Sequence, residues 1–343
     1  MSLLKIIDHI PDGFLSIDAT RLIDLMPQPT LIHLQGRRKE PLFVSILLHG
    51  NEITGLHALQ AFLSKYQQQE LPRSLSIFVG NVRAAEHGQR HLPDQPDYNR
   101  VWPGGDAAAC AETTMMQTVI DDMRERHVFA SIDVHNNTGI NPHYACVNVI
   151  DERFFHLATL FSRTVVYFTN PTGVQSSAFS HLCPAVTIEC GKVGQQYAEV
   201  HAMEFIDAAL HLSDIPTHSF PEQDIDLFHT IAIVKVPPQA NFSFDNSESD
   251  ICFDSDLDYM NFRELEKGTR LGKLCGTYNQ RLQAWDNEGR DIGNEIFTYH
   301  QQEIILSKPV MPSMLTLNEN VIRQDCLCYL MERYKLNASH ECE

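Results

Sequence analysis

The sequence predicts an α/β protein with a smaller, mostly β domain at its carboxyl end. Over roughly the first 220 residues, short apolar runs of strand length alternate with stretches whose apolar residues recur at helical spacing. Several of these runs end in His or Glu, and in open α/β sheets ligands gather at the carboxyl ends of strands. Beyond that point the pattern changes to short β-like runs broken by Pro and Gly. We therefore expect two domains, residues 1–220 and 221–343.

The predicted elements of the first domain follow one another in a regular order. The predicted strands are Thr30–Leu34, Leu42–Leu48, Leu75–Val79, Val128–Val134, Ala145–Ile150, Thr164–Phe168 and Ala185–Ile188. The predicted helices are Thr54–Tyr66, Thr113–Arg124, Glu152–Ser162 and Ala202–Leu212. The basic stretch Gly36–Lys39 is predicted to be a solvated turn. Residues 80–105 form a long polar loop, which is typical of a functional or disordered segment.

The composition argues against certain binding partners and against a membrane or secreted location for this protein. The chain has 343 residues, with 44 acidic against 26 basic ones, and a net charge of -18 argues against a nucleic-acid or anionic-membrane surface. No segment approaches the roughly 20 apolar residues of a membrane span. Charged residues and Pro11 in Met1–Leu15 argue against a signal peptide. The nine cysteines form no paired zinc-type array, so we expect reduced thiols and a cytoplasmic protein.

Three potential metal ligands follow predicted buried strands. His49 and Glu52 stand three residues apart, directly behind Leu42–Leu48, where a turn can direct both side chains at one point. Hydrolytic zinc sites need a third protein ligand, and His135, at the end of another strand, is the best candidate. Asp133 lies on the same strand face as His135 and could hold its ring. Taken singly, each of these residues could instead be an ordinary polar group at a strand end.

Glu189 has the position that a general base would need. The apolar run Ala185–Ile188 places this carboxylate at the end of a predicted buried strand. Hydrolysis of an amide requires a group that takes a proton from water and passes it to the leaving nitrogen. The structural alternative is that Glu189 pairs with Lys192 or caps a loop.

The polar loop supplies the cationic groups that such a reaction needs. Arg83, Arg90 and Arg100 lie in it, with Asn99 beside Arg100. The planar fork of arginine suits both carboxylates and oxyanions. We expect Arg83 to be only a surface residue.

Four segments together resemble the succinylglutamate desuccinylase/aspartoacylase family of zinc carboxypeptidase-like hydrolases. They occur in the family's order and are His49-Gly-Asn-Glu52, Asn81-Val-Arg-Ala84 running on to Arg90 and Asp97-Tyr-Asn99-Arg100, Asp133-Val-His135-Asn-Asn-Thr138, and Ile188-Glu189-Cys-Gly191. The resemblance covers roughly residues 42–195.

The resemblance implies a fold and a set of roles. The catalytic domain would have a carboxypeptidase-like mixed β-sheet flanked by helices, and the C-terminal β domain would narrow the entrance. One zinc ion per chain would be held by His49, Glu52 and His135. Glu189 would act as general base and then acid, and Arg90 would polarise the scissile carbonyl. The substrate carboxylate would be held by Asn99 and Arg100.

The chain also departs from the family pattern. Aspartoacylases carry a substrate-binding Arg some ten residues before the catalytic Glu, but no Lys or Arg lies between Arg163 and Lys192. His181 is the expected substitute. Tyr299 is the expected counterpart of a substrate-contacting Tyr in the C-terminal domain.

The predicted function is zinc-dependent hydrolysis of the amide bond of an N-acyl amino acid or a similar small carboxylate-bearing substrate. A metallocarboxypeptidase or murein-peptide amidase would use the same residues on a peptide. A non-catalytic relative would keep the fold and the metal alone. The expected partner is a small-molecule amide, with neither nucleic acid nor membrane, and homo-oligomerisation stays open.

Overall fold

The computed structural model describes residues 3–245, 249–275 and 281–336. Contacts divide the chain into a first unit of residues 1–136 and 143–227 and a second unit of residues 137–142 and 228–343. The boundary at residue 220 stays a prediction.

The first unit contains a mixed sheet. Its described strands are β1 (Lys5–Ile7), β2 (Thr30–Leu34), β3 (Gly36–Ile46), β4 (Leu71–Val79), β5 (Ala130–His135), β6 (Tyr144–Val147), β7 (Thr164–Tyr167) and β8 (Ala185–Glu189). They lie in the order β1-β2-β4-β3-β5-β8-β6-β7. Strands β4, β3, β5 and β8 run parallel, while β2 and β6 pair antiparallel with β4 and β8. The carboxyl ends of β3, β5 and β8 therefore meet at one edge of the sheet.

Helices complete the first unit. They are α1 (Thr54–Lys65), α2 (Val82–Glu86), α3 (Ala111–Glu125), α4 (Glu152–Ala158), α5 (Gln175–Phe179) and α6 (Gln196–His211). Helix α1 buries Leu56, Leu59 and Phe62 on one face, as its spacing predicts. At its end, Lys65 Nζ and Tyr66 Oη both donate to the Asp207 carboxylate of α6, at 2.8 and 2.7 Å. The mixed sheet with its helices confirms the predicted α/β class.

The prediction of a turn at Gly36–Lys39 is wrong. These residues begin β3 and pair with β4, with Gly36 opposite Leu71 and Arg38 opposite Arg73. Their basic side chains are nevertheless exposed. Backbone hydrogen bonds to β4 hold these residues in the strand. Such bonds do not depend on apolar side chains, so the exposed basic residues can still belong to it.

The second unit is mostly β, as predicted. Its described strands are β9 (Asp226–Lys235, belonging to this unit from Phe228), β10 (Phe242–Ser243), β11 (Ile251–Phe253), β12 (Arg270–Leu274), β13 (Gln283–Trp285), β14 (Phe297–His300), β15 (Glu303–Leu306), β16 (Met311–Ser313) and β17 (Cys328–Arg333), and its short helices are α7 (Gly293–Ile296) and α8 (Glu319–Gln324). Five strands form a sheet in the order β10-β11-β12-β15-β14. Strand β9 pairs antiparallel with β13 and β17, and β17 pairs with β16.

Within the described ranges, no helix combines the length and the hydropathy needed to cross a membrane.

A group of aromatic rings fills the core of the first unit. Phe43 of β3 stacks on Phe179 of α5 with ring centroids 4.3 Å apart. Trp102, from the polar loop, makes edge contacts with Phe179 and with Phe78 of β4, at 5.9 and 5.8 Å. These rings anchor the end of the polar loop to the sheet that positions the candidate site.

We expect Phe179→Ala to lower the free energy of unfolding by about 3–5 kcal/mol, because it leaves a cavity against two other rings. Leu160→Ala, at a side chain that is 42% exposed, is the control and should change stability by no more than about 0.5 kcal/mol. Chemical denaturation monitored by circular dichroism measures both. Equal stability of the two variants would contradict a stabilising role for the aromatic group.

Candidate metal centre

Three strand ends position the candidate site. The chain leaves β3 after Ile46, and His49 and Glu52 lie in the turn that precedes α1. His135 is the last residue of β5, and Glu189 is the last residue of β8. Because β5 and β8 pair in parallel with His135 opposite Glu189, these two residues are direct neighbours across the sheet.

The three predicted ligands come together in the structure. Glu52 Oε1 lies 2.8 Å from His49 Nδ1, and Glu52 Oε2 lies 2.7 Å from His135 Nδ1. One ligand atom from each residue falls within 4.8 Å of the others, and all three side chains are buried. In the part of the chain that the structure describes, this is the one such group of three or more His, Cys, Asp or Glu.

In His49 and in His135, the ring nitrogen that points away from Glu52 contacts a second carboxylate. His49 Nε2 lies 3.0 Å from Asp97 Oδ1, and His135 Nε2 lies 2.7 Å from Asp133 Oδ2. An ionised carboxylate only accepts hydrogen bonds, so each Nε2–H donates and each Nδ1 faces the centre. Two imidazole nitrogens and a carboxylate, oriented in this way, fit a divalent ion that takes nitrogen and oxygen ligands.

Asn136 fastens the strand ends to each other. Its backbone N–H donates to Glu52 Oε2 at 3.0 Å, and its Oδ1 accepts from the Thr54 N–H at 3.3 Å. Its Nδ2 donates to the Gly191 carbonyl at 2.9 Å. One buried side chain therefore links the ends of β5 and β8 to the start of α1. Asn136 directly follows His135 in the sequence, but no local pattern predicts these contacts.

At Gly50, the turn between β3 and α1 passes very close to the backbone of α2. A Cβ on Gly50 would overlap the backbone of Ala84 and Ala85 in α2. The Gly50 N–H donates to the Arg90 carbonyl at 3.1 Å. Only a glycine lets the turn lie against α2 without displacing it.

Asp97 joins Arg90 to the centre. Arg90 Nε and Nη2 donate to Asp97 Oδ2 at 3.1 and 2.9 Å, while Asp97 Oδ1 holds His49. Arg90 Nη1 lies 4.0 Å from Glu52 Oε1. The sequence alone does not predict this role of Asp97, because the contact between its carboxylate and His49 exists only in the folded loop.

Burial and charge act in opposite directions on these groups. Burial alone would raise the pKa of Glu52, but His49 and His135 outweigh it and hold that pKa below its ordinary value. Burial alone would lower the pKa of His135, yet Asp133 and Glu52 raise it well above the ordinary value. Arg90 and His49 likewise overcome burial and depress the pKa of Asp97. The ionised forms of Glu52 and Asp97 are thus favoured, and so are the protonated forms of His49 and His135.

Asn99, Arg100 and Arg83 of the polar loop differ in burial and in their contacts. Asn99 is buried, its Nδ2 lies 3.3 Å from His135 Nε2, and its Oδ1 accepts from the Gln175 N–H at 2.9 Å. Arg100 donates from Nη1 to the Asn99 carbonyl at 2.8 Å. Arg83 is exposed and paired with Asp94 at 3.2 Å, as expected. The roles of Asn99 and Arg100 in holding substrate stay predictions.

His181 lies before the end of β8 that is opposite the centre, and its role toward a substrate stays a prediction. It is exposed and precedes the amino end of β8, whereas Glu189 occupies the carboxyl end of the same strand. At roughly 3.3 Å per residue, the length of β8 separates it from the centre. It therefore gives no geometric support as a substitute for the missing arginine.

Tyr299 lies on β14 of the second unit. Its hydroxyl accepts from the Leu282 N–H at 2.9 Å, and the Arg281 guanidinium lies 4.9 Å from its ring centroid. Burial raises the pKa of Tyr299 to about 12. Its role toward a substrate stays a prediction.

A sequence comparison places these residues in a family. The model of the succinylglutamate desuccinylase/aspartoacylase catalytic domain matches residues 41–212, a span that includes His49, Glu52, His135 and Glu189. The chain belongs to this family. No curated protein matches it in sequence.

Several solved structures share the fold of this chain. A succinylglutamate desuccinylase from Chromobacterium violaceum is 16% identical, with 88% of this chain and 87% of that chain covered and a TM-score of 0.56. A succinylglutamate desuccinylase/aspartoacylase from Rhodobacter sphaeroides is 13% identical, with 88% of each chain covered and a TM-score of 0.59. Murine aminoacylase 3 is 13% identical, with 87% and 96% covered and a TM-score of 0.58. At such low identity these structures establish the fold and leave the substrate open.

Asp97→Asn should weaken zinc binding by about 10–100-fold, because the variant loses the charge that orients His49. Competition with a chromophoric chelator measures the affinity. Asp94→Asn is the matched control, since that exposed carboxylate of the same loop pairs only with Arg83 among its described ion-pair partners. Equal affinities in the two variants would contradict the role of Asp97.

Zinc binding should release protons and weaken as the pH falls. Burial lowers the pKa of His49 and of His135, but Glu52 and the neighbouring carboxylates raise it further, so an ion that binds these rings must displace protons. We expect about one to two protons released per ion near neutral pH. Calorimetry in buffers of different ionisation enthalpy counts them, and a count of zero would contradict the charge state derived above.

Proposed function

We propose that this chain is a zinc-dependent hydrolase that cleaves the amide bond of an N-acyl amino acid or a similar small carboxylate-bearing compound. The observation that supports this most directly is the placement of Glu189 opposite His135, beside the His49, Glu52 and His135 cluster. A potential base thus adjoins a buried donor set that fits a metal. Relatives in fold named succinylglutamate desuccinylase and aminoacylase 3 agree with the same class of reaction.

His49, Glu52 and His135 would hold one zinc ion per chain. When bound, zinc supplies Lewis-acid chemistry, because it lowers the pKa of water and polarises a carbonyl oxygen. Asp97 and Asp133 keep the two imidazoles oriented for this purpose.

Glu189 would move the proton. In the hydrolysis, water adds to the amide carbonyl and the bond from carbon to nitrogen breaks, giving a carboxylate and an amine. Glu189 would take a proton from the attacking water and return it to the departing nitrogen, which couples bond formation to bond cleavage. Its position at the end of β8 is fixed by pairing with β5 on one side and β6 on the other.

Arg90 and its loop would hold the negative charges of the substrate. The Arg90 guanidinium is oriented by Asp97 and points Nη1 toward the Glu52 side of the centre. From there it would stabilise the oxyanion that forms on the scissile carbonyl. Asn99 and Arg100 would bind the substrate carboxylate, Arg100 through its planar fork.

The location and assembly follow as expectations from the same proposal. A small-molecule amide is the expected partner, and the cytoplasm stays the compartment that the cysteine pattern of the sequence predicts. Homo-oligomerisation stays open.

Glu189→Gln should keep zinc and lose about 10²- to 10⁴-fold in kcat, because the amide side chain cannot accept the proton. Elemental analysis measures the zinc, and a panel of N-acyl amino acids, with short L- and D-peptides alongside, identifies the substrate for kinetics. Glu199→Gln on α6, a carboxylate that holds His57 at 2.7 Å, is the control.

The substrate panel and the variants distinguish an N-acyl amino acid hydrolase from a peptidase and from a non-catalytic protein. Cleavage of N-acyl amino acids with wild-type turnover in Glu189→Gln would contradict the mechanism. Cleavage of peptides alone would favour a peptidase. A zinc-loaded wild-type protein that hydrolyses no amide would contradict the proposed activity.

A further inference from the structure

Two thiols lie in contact within the second unit. Cys252 belongs to β11, and Cys275 directly follows β12. The two sulfur atoms are 2.8 Å apart. A disulfide bond measures about 2.05 Å, so the sulfurs need to approach by less than about 1 Å to form one.

Strand pairing holds the two cysteines in place. Strands β11 and β12 are antiparallel, with Ile251 opposite Leu274. The Cys275 N–H donates to the Asp250 carbonyl at 2.8 Å, and the Leu274 N–H donates to the Gln302 carbonyl at 2.8 Å. Cys275 lies two residues beyond Lys273, the strand partner of Cys252, so the pairing places both cysteines on the same face of the sheet.

The surroundings favour a thiolate on Cys252. The Ser249 hydroxyl lies 3.4 Å and the Ser243 hydroxyl 4.0 Å from its sulfur, and Lys273 is its cross-strand partner. Burial alone would raise the pKa of Cys252, but hydrogen bonding with the Cys275 and Ser249 side chains lowers it. Burial and the neighbouring sulfur raise the pKa of Cys275. A thiolate beside a protonated thiol is the pairing that thiol oxidation uses.

Access differs between the two sulfurs. Cys252 is buried, while Cys275 is partly exposed, a property that it shares only with Cys110 among the eight cysteines the structure describes. Cys342 lies outside the described residues. A small oxidant that enters beside Cys275 therefore meets both sulfurs.

We propose that Cys252 and Cys275 are a peroxide-sensitive dithiol that oxidises to an intramolecular disulfide. The Cys252 thiolate attacks one oxygen of hydrogen peroxide, the bond between the oxygens breaks, and hydroxide leaves and is protonated to water. Cys252 is then a sulfenic acid. The Cys275 sulfur attacks Cys252 Sγ, its proton leaves with the hydroxyl as a second water, and the disulfide forms. Two thiols have lost two electrons and the peroxide has gained them.

The disulfide would join the end of β12 to β11 covalently. Both strands lie in the five-stranded sheet of the second unit. The modification is chemically independent of the metal centre, whose residues all lie in the first unit. It therefore holds or fails separately from the proposed hydrolase activity.

The test uses the full chain, reduced and freed of reductant. Hydrogen peroxide is added from equimolar to a small excess, the remaining thiols are alkylated, and intact mass and peptide maps are recorded. We expect a loss of two alkylation sites, a crosslinked peptide that contains Cys252 and Cys275, and reversal by dithiothreitol. This loss should be on the order of tenfold faster than oxidation of Cys110.

Variants assign the step to the pair. Cys275→Ser should leave Cys252 as a sulfenic acid that dimedone traps, and Cys252→Ser should leave Cys275 reduced at the same dose. Cys110→Ser is the control and should oxidise like the wild type. Complete alkylation of Cys252 and Cys275 in the wild type at doses that already oxidise Cys110, or a crosslink to a different cysteine, would overturn the proposal.

Discussion

The first unit is organised around a buried carboxylate. Glu52 is ionised although it is almost fully enclosed, and a buried charge costs several kcal/mol unless partners surround it. Two imidazoles and the Asn136 N–H supply those partners, and they come from the ends of different elements. The strand ends must therefore converge on one point for the carboxylate to stay charged.

The same charges order the polar loop. A segment with few apolar residues has little hydrophobic burial to hold it, so it needs other contacts. Arg90 and Asp97 provide them, because Asp97 accepts from Arg90 and from His49 while the Arg90 carbonyl accepts from the Gly50 N–H. Trp102 anchors the far end of the loop in the aromatic core. A stretch that looks unstructured in composition is thus held in its middle by charged groups and near its carboxyl end by aromatic rings.

The two units use polar groups for different purposes. In the first unit, carboxylates fix imidazole orientation and keep donor atoms directed at a shared point. In the second, two hydroxyls and a lysine surround a sulfur that touches another sulfur. The first arrangement suits a metal and the second suits thiol oxidation, because thiolates react with peroxide whereas oriented imidazoles bind ions.

The sequence by itself determined the α/β class, the approximate positions along the chain of seven strands in the first unit, and the three residues that could ligate a metal. Those features are local, because an apolar run that ends in His or Glu indicates both a buried strand and the residue at which the strand ends. Only the tertiary structure decided that Asp97 and Asn136 serve the centre and that Gly36–Lys39 is a strand. Each of these depends on contact or pairing between segments far apart in the chain, and residue patterns within one segment do not fix such distances.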